Sequence, residues 1–526
     1  MAIGGLGAVL LAAGGLVLAI LVSRGGAAGG AKRGLSPAYL AAGVAGLVVV
    51  GVLVWGWRSG ESTLAALVPA QIKQRVAAID LGESGAQDRL QWSRDALKLA
   101  GQRPLLGAGG GGWNALYGTV QTYAYFSTEV HNHFAQVWVE GGTLGFLAFL
   151  AVWVGAGWAY WRGRRTDAPL SAAAFVAAGG LGVHALIDFN LSLSAVSFML
   201  WALFGLVAAG EPVPTGDGGA AGVVRPGRAA GTTHRGAAGP AHSAAGPSPW
   251  YLRLGIPVVC VALLSLTVSL RAGYGAGQRA AAALNAGDAE RALVAFATAC
   301  RYDPWTASFH IDLGQVYERQ AGEAKTRELL AKARAEFERG VSLDPYNFQY
   351  RALYGRFLLR HGEADAGLAQ LQKAIECRPA LAAGYENLAT ASVLVGAAMA
   401  DRGELDKARA YLQSVRTVAA DMARRSTLVP AFVQRADYRL PASTPRLSLA
   451  LGQASLLLGD TNTARQSLEA AVKDRQLQPE ANLWLGAWAL VAGQDPQPYL
   501  AQAGSIPDAR GQAELIATRT RQLAAK

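Results

Sequence analysis

Two histidines stand close together in the run Glu129-Val130-His131-Asn132-His133-Phe134, a few residues before a long apolar stretch that begins at Gly141. Imidazole titrates near neutral pH, so a histidine at a reaction site can take a proton from a hydroxyl and return it. His131 is the candidate for that role, and an interfacial residue bonded to its own loop is the plainer alternative. His133, two positions on, points elsewhere in a helix and is read with Asn132 as accessory. Glu129, His131 and His133 are zinc-ligand types, but no fourth ligand accompanies them and no metal is expected. Upstream, Arg89 and Arg103 are permanent cations of the kind that clamp a phosphate, or that face lipid headgroups. The turn Pro104-Leu105-Leu106-Gly107-Ala108-Gly109-Gly110-Gly111-Gly112 could bring backbone N–H groups to a phosphate. A nucleotide loop would continue with Lys-Ser or Lys-Thr, where this chain has Trp113-Asn114, so no nucleotide or other cofactor is expected. Downstream, His184 and Asp188 are four apart and share a face if one helix carries both.

The elements that must position these residues read as membrane helices. The 526-residue chain is 52% hydrophobic and 16% charged, too apolar for an ordinary soluble protein. A bilayer core about 30 Å thick is crossed by about 20 apolar residues in helix. Six segments come close: Gly4–Val22, Ala38–Trp57, Gly141–Trp161, Leu170–Ile187, Leu191–Gly210 and Leu254–Leu270. The two that flank Asp188 can instead form a hairpin dipping in from one side. An ionisable pair such as His184 and Asp188 at that depth is a functional candidate, with mutual satisfaction as the bland reading. Basic clusters follow the first span (Arg24, Lys32, Arg33), follow the third (Arg162, Arg164, Arg165), and lie between the fifth and sixth (Arg225, Arg228, Arg235, Arg253). If every segment crosses, all three fall on one face, which the positive-inside rule makes cytoplasmic, and both termini lie outside. A signal peptide would carry its basic residues ahead of the apolar run, not behind it. The formal charge of +11 therefore reports topology. It lacks the clustering that a nucleic-acid groove needs, and no nucleic acid is expected as partner. On the outer loop between Arg58 and Glu140, seven basic residues balance seven acidic ones. There Asp88 to Gly101 reads as an amphipathic helix with Leu90, Ser93, Leu97 and Ala100 on one face.

Past residue 271 the pattern changes from apolar runs to a repeat. Ala292, Phe296, Ala299 and Pro304 are followed by Ala333, Phe337, Gly340 and Pro345, then by Gly367, Leu371, Ala374 and Pro379. The step from Pro345 to Pro379 is 34 residues, the period of the tetratricopeptide repeat (TPR), whose helix pairs bury the same positions against each neighbour. The 41-residue step before it implies a lengthened hairpin around Gly322 to Arg327. Two degenerate repeats follow, at Leu388 to Leu412 and from Leu449 to Pro479, with a capping pair starting near Trp484. Such arrays bind a protein partner in a groove. Cys260, Cys300 and Cys377 make neither a disulfide framework nor a zinc pattern and read as small buried hydrophobes. The expected fold is all-α: a polytopic domain of about six spans, then a TPR solenoid. Its parts are two spans in 1–57, an extracytoplasmic loop over 58–140 and spans in 141–210. A disordered Gly/Ala/Pro linker over 211–252, containing His234 and His242, a span at 253–271 and repeats over 272–526 complete it.

Several of these pieces together carry a resemblance. Arg89-Leu90-Gln91-Trp92, Pro104-Leu105-Leu106-Gly107-Ala108-Gly109, and His131-Asn132 with Glu140-Gly141 entering an apolar helix follow in the order of the signature loop of the O-antigen ligase and polymerase family. His184-Ala185-Leu186-Ile187-Asp188-Phe189-Asn190 resembles that family's His-x-x-x-Asp-Phe element, and attached repeats resemble a bacterial subgroup of it. The resemblance, over Asp88 to Gly210, implies transfer of a glycan from an undecaprenyl diphosphate carrier to an acceptor hydroxyl on the outer face of the bacterial cytoplasmic membrane, without metal or nucleotide. On that reading His131 is the base, Arg89 and Arg103 hold the diphosphate, and Asn132, His133, His184 and Asp188 orient substrate or close the site. Ligation and polymerisation are alternatives within the family. The contrasting reading is a non-catalytic, membrane-anchored TPR scaffold for envelope assembly.

Overall fold

The computed structural model describes residues 84–163, 169–209, 250–324 and 327–525. The expected spans at Gly4–Val22 and Ala38–Trp57 and most of the expected linker lie outside the described residues, as do most of the basic residues used to orient the chain. The described residues are all helix, turn and loop, without strands. In chain order the first five helices are α1 (Ser84–Gln102), α2 (Gly112–Val120), α3 (His133–Gly163), α4 (Pro169–Ala185) and α5 (Ser194–Ala209). Then come α6 (Trp250–Asn285), α7 (Ala289–Tyr302), α8 (Ala307–Ala324), α9 (Arg327–Leu343), α10 (Phe348–Arg360), α11 (Ala364–Cys377), α12 (Ala382–Asp401) and α13 (Leu405–Ser426). The chain ends with α14 (Pro445–Leu457), α15 (Thr461–Ala471), α16 (Gln478–Val491), α17 (Gln497–Leu500) and α18 (Ala509–Ala524). The chain forms two compact units, Met1–Pro212 with Leu371–Lys526, and Val213–Gln370.

In the first unit, the helices that follow the candidate site pack through small residues and aromatic rings. Ala156, Ala178, Ala185, Leu191, Leu200 and Phe204 form a buried cluster with Trp153 against it, and Gly182 lets α4 approach the Trp153 ring where a Cβ would collide. The rest of α3 is bare: Leu144, Leu147, Val154, Trp158 and Trp161 are exposed, which in water would be a large unfavourable apolar surface. His133–Arg162 is long and apolar enough to cross a membrane. Leu170–Ala185 and Ser194–Ala208 are shorter, roughly 24 Å each at 1.5 Å per residue, because the turn at Asp188 and the 3-10 turn Asn190–Ser192 interrupt the apolar run. Of the four expected spans within the described residues, two make helices of crossing length and the two around Asp188 form a short antiparallel pair.

The other full-length apolar helix, Pro257–Asn285, belongs to the second unit. It was expected to stop near Leu270. Instead α6 runs without a break into the small-residue stretch Ala276 to Ala283, which packs on α7, so membrane-type and repeat-type surface share one helix and the boundary at 271 is not a structural one. Pro257 sits inside this helix.

Both units carry the repeat packing that the sequence spacing requires. Ala292, Phe296 and Ala299, then Ala333 and Phe337, are nearly fully buried. Gly314 faces Phe337, and Gly340 faces Ile311, at distances no Cβ allows without displacement. In the first unit Leu371, Ala374, Ala464, Leu468 and Ala471 are buried in the same manner, with Gly452 against Leu468. The repeats are therefore real helix pairs. They close with α16 and α18, and an irregular stretch containing a single 3-10 turn at Ala436–Tyr438 separates α13 from α14.

Candidate active site

The candidate residues lie where α1, the loop before α3, and the turn between α4 and α5 meet. Asn132 caps α3, its side-chain oxygen accepting from the Ala135 backbone N–H at 3.1 Å, so its role is to start the helix. His131, just before this cap, has φ 57°, a left-handed conformation uncommon for a residue with a side chain and concentrated at functional sites. That backbone turn places the imidazole between two rings, Trp92 of α1 at 4.7 Å and Phe189 edge-on at 4.7 Å. Its Nδ1 lies 3.7 Å from Asp188 Oδ1, too long for a hydrogen bond, and has no hydrogen-bond partner among the described residues. Burial, and then the positive charge of Arg89, push the His131 pKa below the ordinary value, while Asp188 and Glu129 oppose them. The shift favours the neutral imidazole, the form that accepts a proton.

Arg89 is exposed at the start of α1 and donates to the Ile187 carbonyl at 3.3 Å, one residue before Asp188. His184 accepts through Nδ1 from the Asn190 amide at 2.9 Å, which fixes its proton on Nε2. Glu129 accepts from Ser192 at 3.1 Å, and His133 Nδ1 stands 3.5 Å from the same hydroxyl. The structure thus brings Arg89, His131, His133, His184 and Asp188 to one place. It does not bring Arg103 there: Arg103 follows the end of α1, fourteen residues after Arg89, and the backbone rise between them is about 20 Å.

The glycine-rich turn also differs from expectation. Its N–H groups do not face outward as a nest for phosphate. Ala108 and Gly109 donate to the Val139 and Glu140 carbonyls at 2.8 and 2.9 Å, Thr143 donates to Pro104 O at 2.7 Å, and Gly111 donates to the Glu140 carboxylate at 3.1 Å. The turn is a clasp on α3 at the point where Gly142 breaks the helix with φ 63° and ψ −170°. Two motifs that are 35 residues apart in the chain are one structural device.

Neither the spacing nor the composition drew attention to the residues that hold α1. The buried face is Gln91, Asp95, Ala96, Leu99 and Ala100, whereas Leu90 and Leu97, expected to be covered, are about half exposed. The helix is rotated because Asp95, fully buried, accepts from Tyr125 OH at 2.9 Å, Gln91 at 3.1 Å and Lys98 at 2.7 Å, and Tyr123 OH donates to Asp88. Burial, followed by the adjacent carboxylates, pushes both tyrosine pKa values up, so both remain donors. The cluster of tyrosines Tyr117, Tyr123 and Tyr125, across from two aspartates, was the available signal, and a helical hydrophobicity pattern does not register it.

The same tyrosines dock this segment on the C-terminal repeats. Arg378 lies over the Tyr117 ring at 5.2 Å and donates to its hydroxyl at 2.9 Å. Gly118 abuts the Cys377 carbonyl, Ala124 N–H donates to Tyr438 O at 3.0 Å, and Phe432 meets Tyr123 edge-on at 5.9 Å. Arg378→Ala removes a ring contact and a hydrogen bond, together worth about 1–2 kcal/mol. The expected result is several-fold faster amide exchange over 112–125 with exchange in α14 to α16 unchanged.

Residues 2–150 match the protein-family model described as O-antigen ligase. The match includes Arg89, Arg103, His131, Asn132 and His133 and ends ahead of His184 and Asp188. Among solved structures the chain is similar to PilF of Pseudomonas aeruginosa, with 18% identity over 49% of this chain and 98% of that one and a TM-score of 0.31. It is similar to a MamA protein, with 18% identity over 41% and 94% and a TM-score of 0.26. It is also similar to YrrB, described as a TPR protein with an unusual peptide-binding site, with 18% identity over 37% and 81% and a TM-score of 0.25. No curated protein matches significantly. The N-terminal region is thus similar to the O-antigen ligase family over residues 2–150, and in this chain it precedes helix pairs with repeat packing.

Proposed function

We propose that the protein is a membrane glycan ligase. It transfers a polysaccharide from an undecaprenyl diphosphate carrier to an acceptor hydroxyl on the outer face of the bacterial cytoplasmic membrane, and its repeats recruit the acceptor or a partner protein. The observation that carries the reading is the placement of the His131 imidazole, held in a left-handed turn beside the Asp188 carboxylate, with burial and the Arg89 charge pushing its pKa down. His131 takes the proton from the acceptor hydroxyl as the oxygen attacks the anomeric carbon. The glycosyl–oxygen bond to the carrier breaks, and the electron pair leaves with the undecaprenyl diphosphate, whose charge Arg89 meets. Asp188 orients the ring and balances the imidazolium as it forms. His184, Asn190, Glu129 and Ser192 hold the surrounding turn.

Location is supported by the exposed apolar faces of α3 and α6 and by Leu90, Leu97, Leu105 and Leu106, which leave α1 and the turn after it with leucines outward, as an interfacial helix requires. The docking of 112–125 on the repeats supports a single side of the membrane for both. A partner held by the repeats would therefore face the same compartment as His131.

The test is transfer by the purified full chain in lipid nanodiscs, given an undecaprenyl diphosphate-linked glycan and a hydroxyl acceptor. Arg89→Ala is expected to lower the rate about tenfold or more, and Arg103→Ala to lower it less. Removing the Arg89 charge also removes a cause of the depressed His131 pKa, so the acid limb of the residual rate moves to higher pH. Equal rates for wild type and both variants with an unmoved limb would leave the scaffold reading in place.

A further inference from the structure

Within the Val213–Gln370 unit, three successive repeat helices each direct one metal-ligand side chain to a common point. Cys300 comes from α7, His310 from α8 and Glu336 from α9, and one ligand atom of each lies within 4.8 Å of the others. His310 Nδ1 is 2.6 Å from Glu336 Oε2, and its Nε2 is 3.3 Å from the Pro304 carbonyl. Both ring nitrogens therefore face oxygen acceptors, although a neutral imidazole has a single N–H. At 2.6 Å a proton lies between Nδ1 and the Glu336 carboxylate, and once a cation displaces that proton, Nε2–H stays on the Pro304 carbonyl and the Nδ1 lone pair is free for the metal. A backbone carbonyl behind the distal nitrogen is how a metal-binding histidine is commonly held.

We propose that Cys300, His310 and Glu336 form a divalent-cation site of the zinc class that staples α7, α8 and α9. Ligand bonds of about 2.0–2.3 Å set tetrahedral ligand atoms roughly 3.3–3.8 Å apart. The His310–Glu336 pair opens by a fraction of an ångström, and the sulfur moves in by a comparable amount. Three protein ligands leave the fourth position to water. On binding, the Cys300 S–H bond breaks and its proton goes to solvent with the proton shared by His310 and Glu336, and the thiolate, imidazole and carboxylate electron pairs form the metal–ligand bonds. Without a cation the thiol is kept protonated, because burial and then the Glu336 charge push its pKa up to about 12, with Asp303 and Asp312 adding to the same negative field. That field suits a divalent cation. His310 is 7% exposed, so this ligand is held in place by its surroundings. In a TPR array the usual stabiliser is apolar packing alone, and here the pair α8 and α9 is joined by the lengthened hairpin that the 41-residue spacing implies.

The test uses the tag-free full chain in detergent, titrated with cobalt(II) and then displaced by zinc(II). Wild type is expected to bind one cobalt with a thiolate-to-metal charge-transfer absorption, lost in Cys300→Ser and retained in Cys377→Ser and Cys260→Ser. His310→Gln and Glu336→Gln are expected to weaken binding at least tenfold. Absence of the absorption in wild type, or its persistence in Cys300→Ser, would overturn the site. Should Cys300→Ser lose helicity, Glu336→Gln decides instead: it is half-exposed and keeps its shape, and an unchanged cobalt affinity there overturns the proposal equally.

Discussion

Replacing His131 by alanine is expected to reduce glycan transfer by about 10²–10⁴-fold, the range of a lost general base, while leaving the helical content and the repeat packing as they are. The residue contributes little to the core. Its ring is flanked by Trp92 and Phe189 rather than enclosed, and its backbone conformation is one that alanine adopts at a cost of about 1–3 kcal/mol. Its pH signature separates a base from a structural residue. The folded-state pKa is lowered below 6.5, by burial first and by Arg89 second, so the folded protein binds a proton at this site less readily than the unfolded chain. Both consequences have one sign. The rate holds through neutrality and falls as pH drops through the depressed pKa. The stability associated with the neutral ring is present above the unfolded value and is lost as pH falls toward the folded one. Rate–pH profiles in nanodiscs should place the acid limb below that of an exposed histidine. Asp188→Asn, which keeps the shape and removes the charge that favours protonation, should move the limb lower still. A limb unchanged in Asp188→Asn would disconnect the carboxylate from the ring.

How much of this was legible in the sequence depends on the range over which each feature is determined. The repeats were readable because their packing rule is local and recurrent: Ala333, Phe337 and Gly340 recur at spacings of one helix pair, and the same residue types are buried in the structure. The grouping of Arg89, His131, His184 and Asp188 was suggested by the order of motifs; His131 stands beside Asp188, Arg89 bonds the Ile187 carbonyl next to it, and His184 pairs with Asn190. What the sequence could not yield is set by long-range partners. The rotation of α1 depends on Tyr123 and Tyr125 reaching back about 30 residues to Asp88 and Asp95, so the leucine periodicity named the wrong face. The same difficulty hid the contact of Tyr117 with Arg378, 261 residues away. Apolar runs mark where a helix prefers lipid but not where it stops. Around Asp188 the run was interrupted, and past Leu270 it merged into repeat packing that tolerates the same small residues.

The glycine clasp gives the largest effect outside the histidine. Gly142 has φ 63° and ψ −170°, a region that only glycine populates readily, and a Cβ there would meet the Leu105 carbonyl and the Gly107 nitrogen. Gly107 is its counterpart, with φ 70° and no room for a Cβ against the Glu140 and Gly142 backbone. Neither strain nor collision can be relieved by a side-chain rotation, since both partners are main chain. Gly142→Ala must therefore open the clasp, breaking the bonds from Ala108, Gly109 and Thr143 and straightening the start of α3. The expected cost is about 3 kcal/mol or more, from one backbone outlier and the paired main-chain groups it exposes. Gly145→Ala, one helical turn on with nothing within 4 Å of the added Cβ, is the matched control and should stay within about 0.5 kcal/mol of wild type. Thermal unfolding in nanodiscs measures the difference, and amide exchange over 104–112 locates it. Because the clasp fixes the angle at which α3 leaves the loop, it also fixes where His131 stands relative to Arg89. Gly142→Ala should therefore lose transfer activity along with stability, whereas a variant that loses stability but retains the wild-type rate would show that the loop holds its catalytic geometry without the clasp.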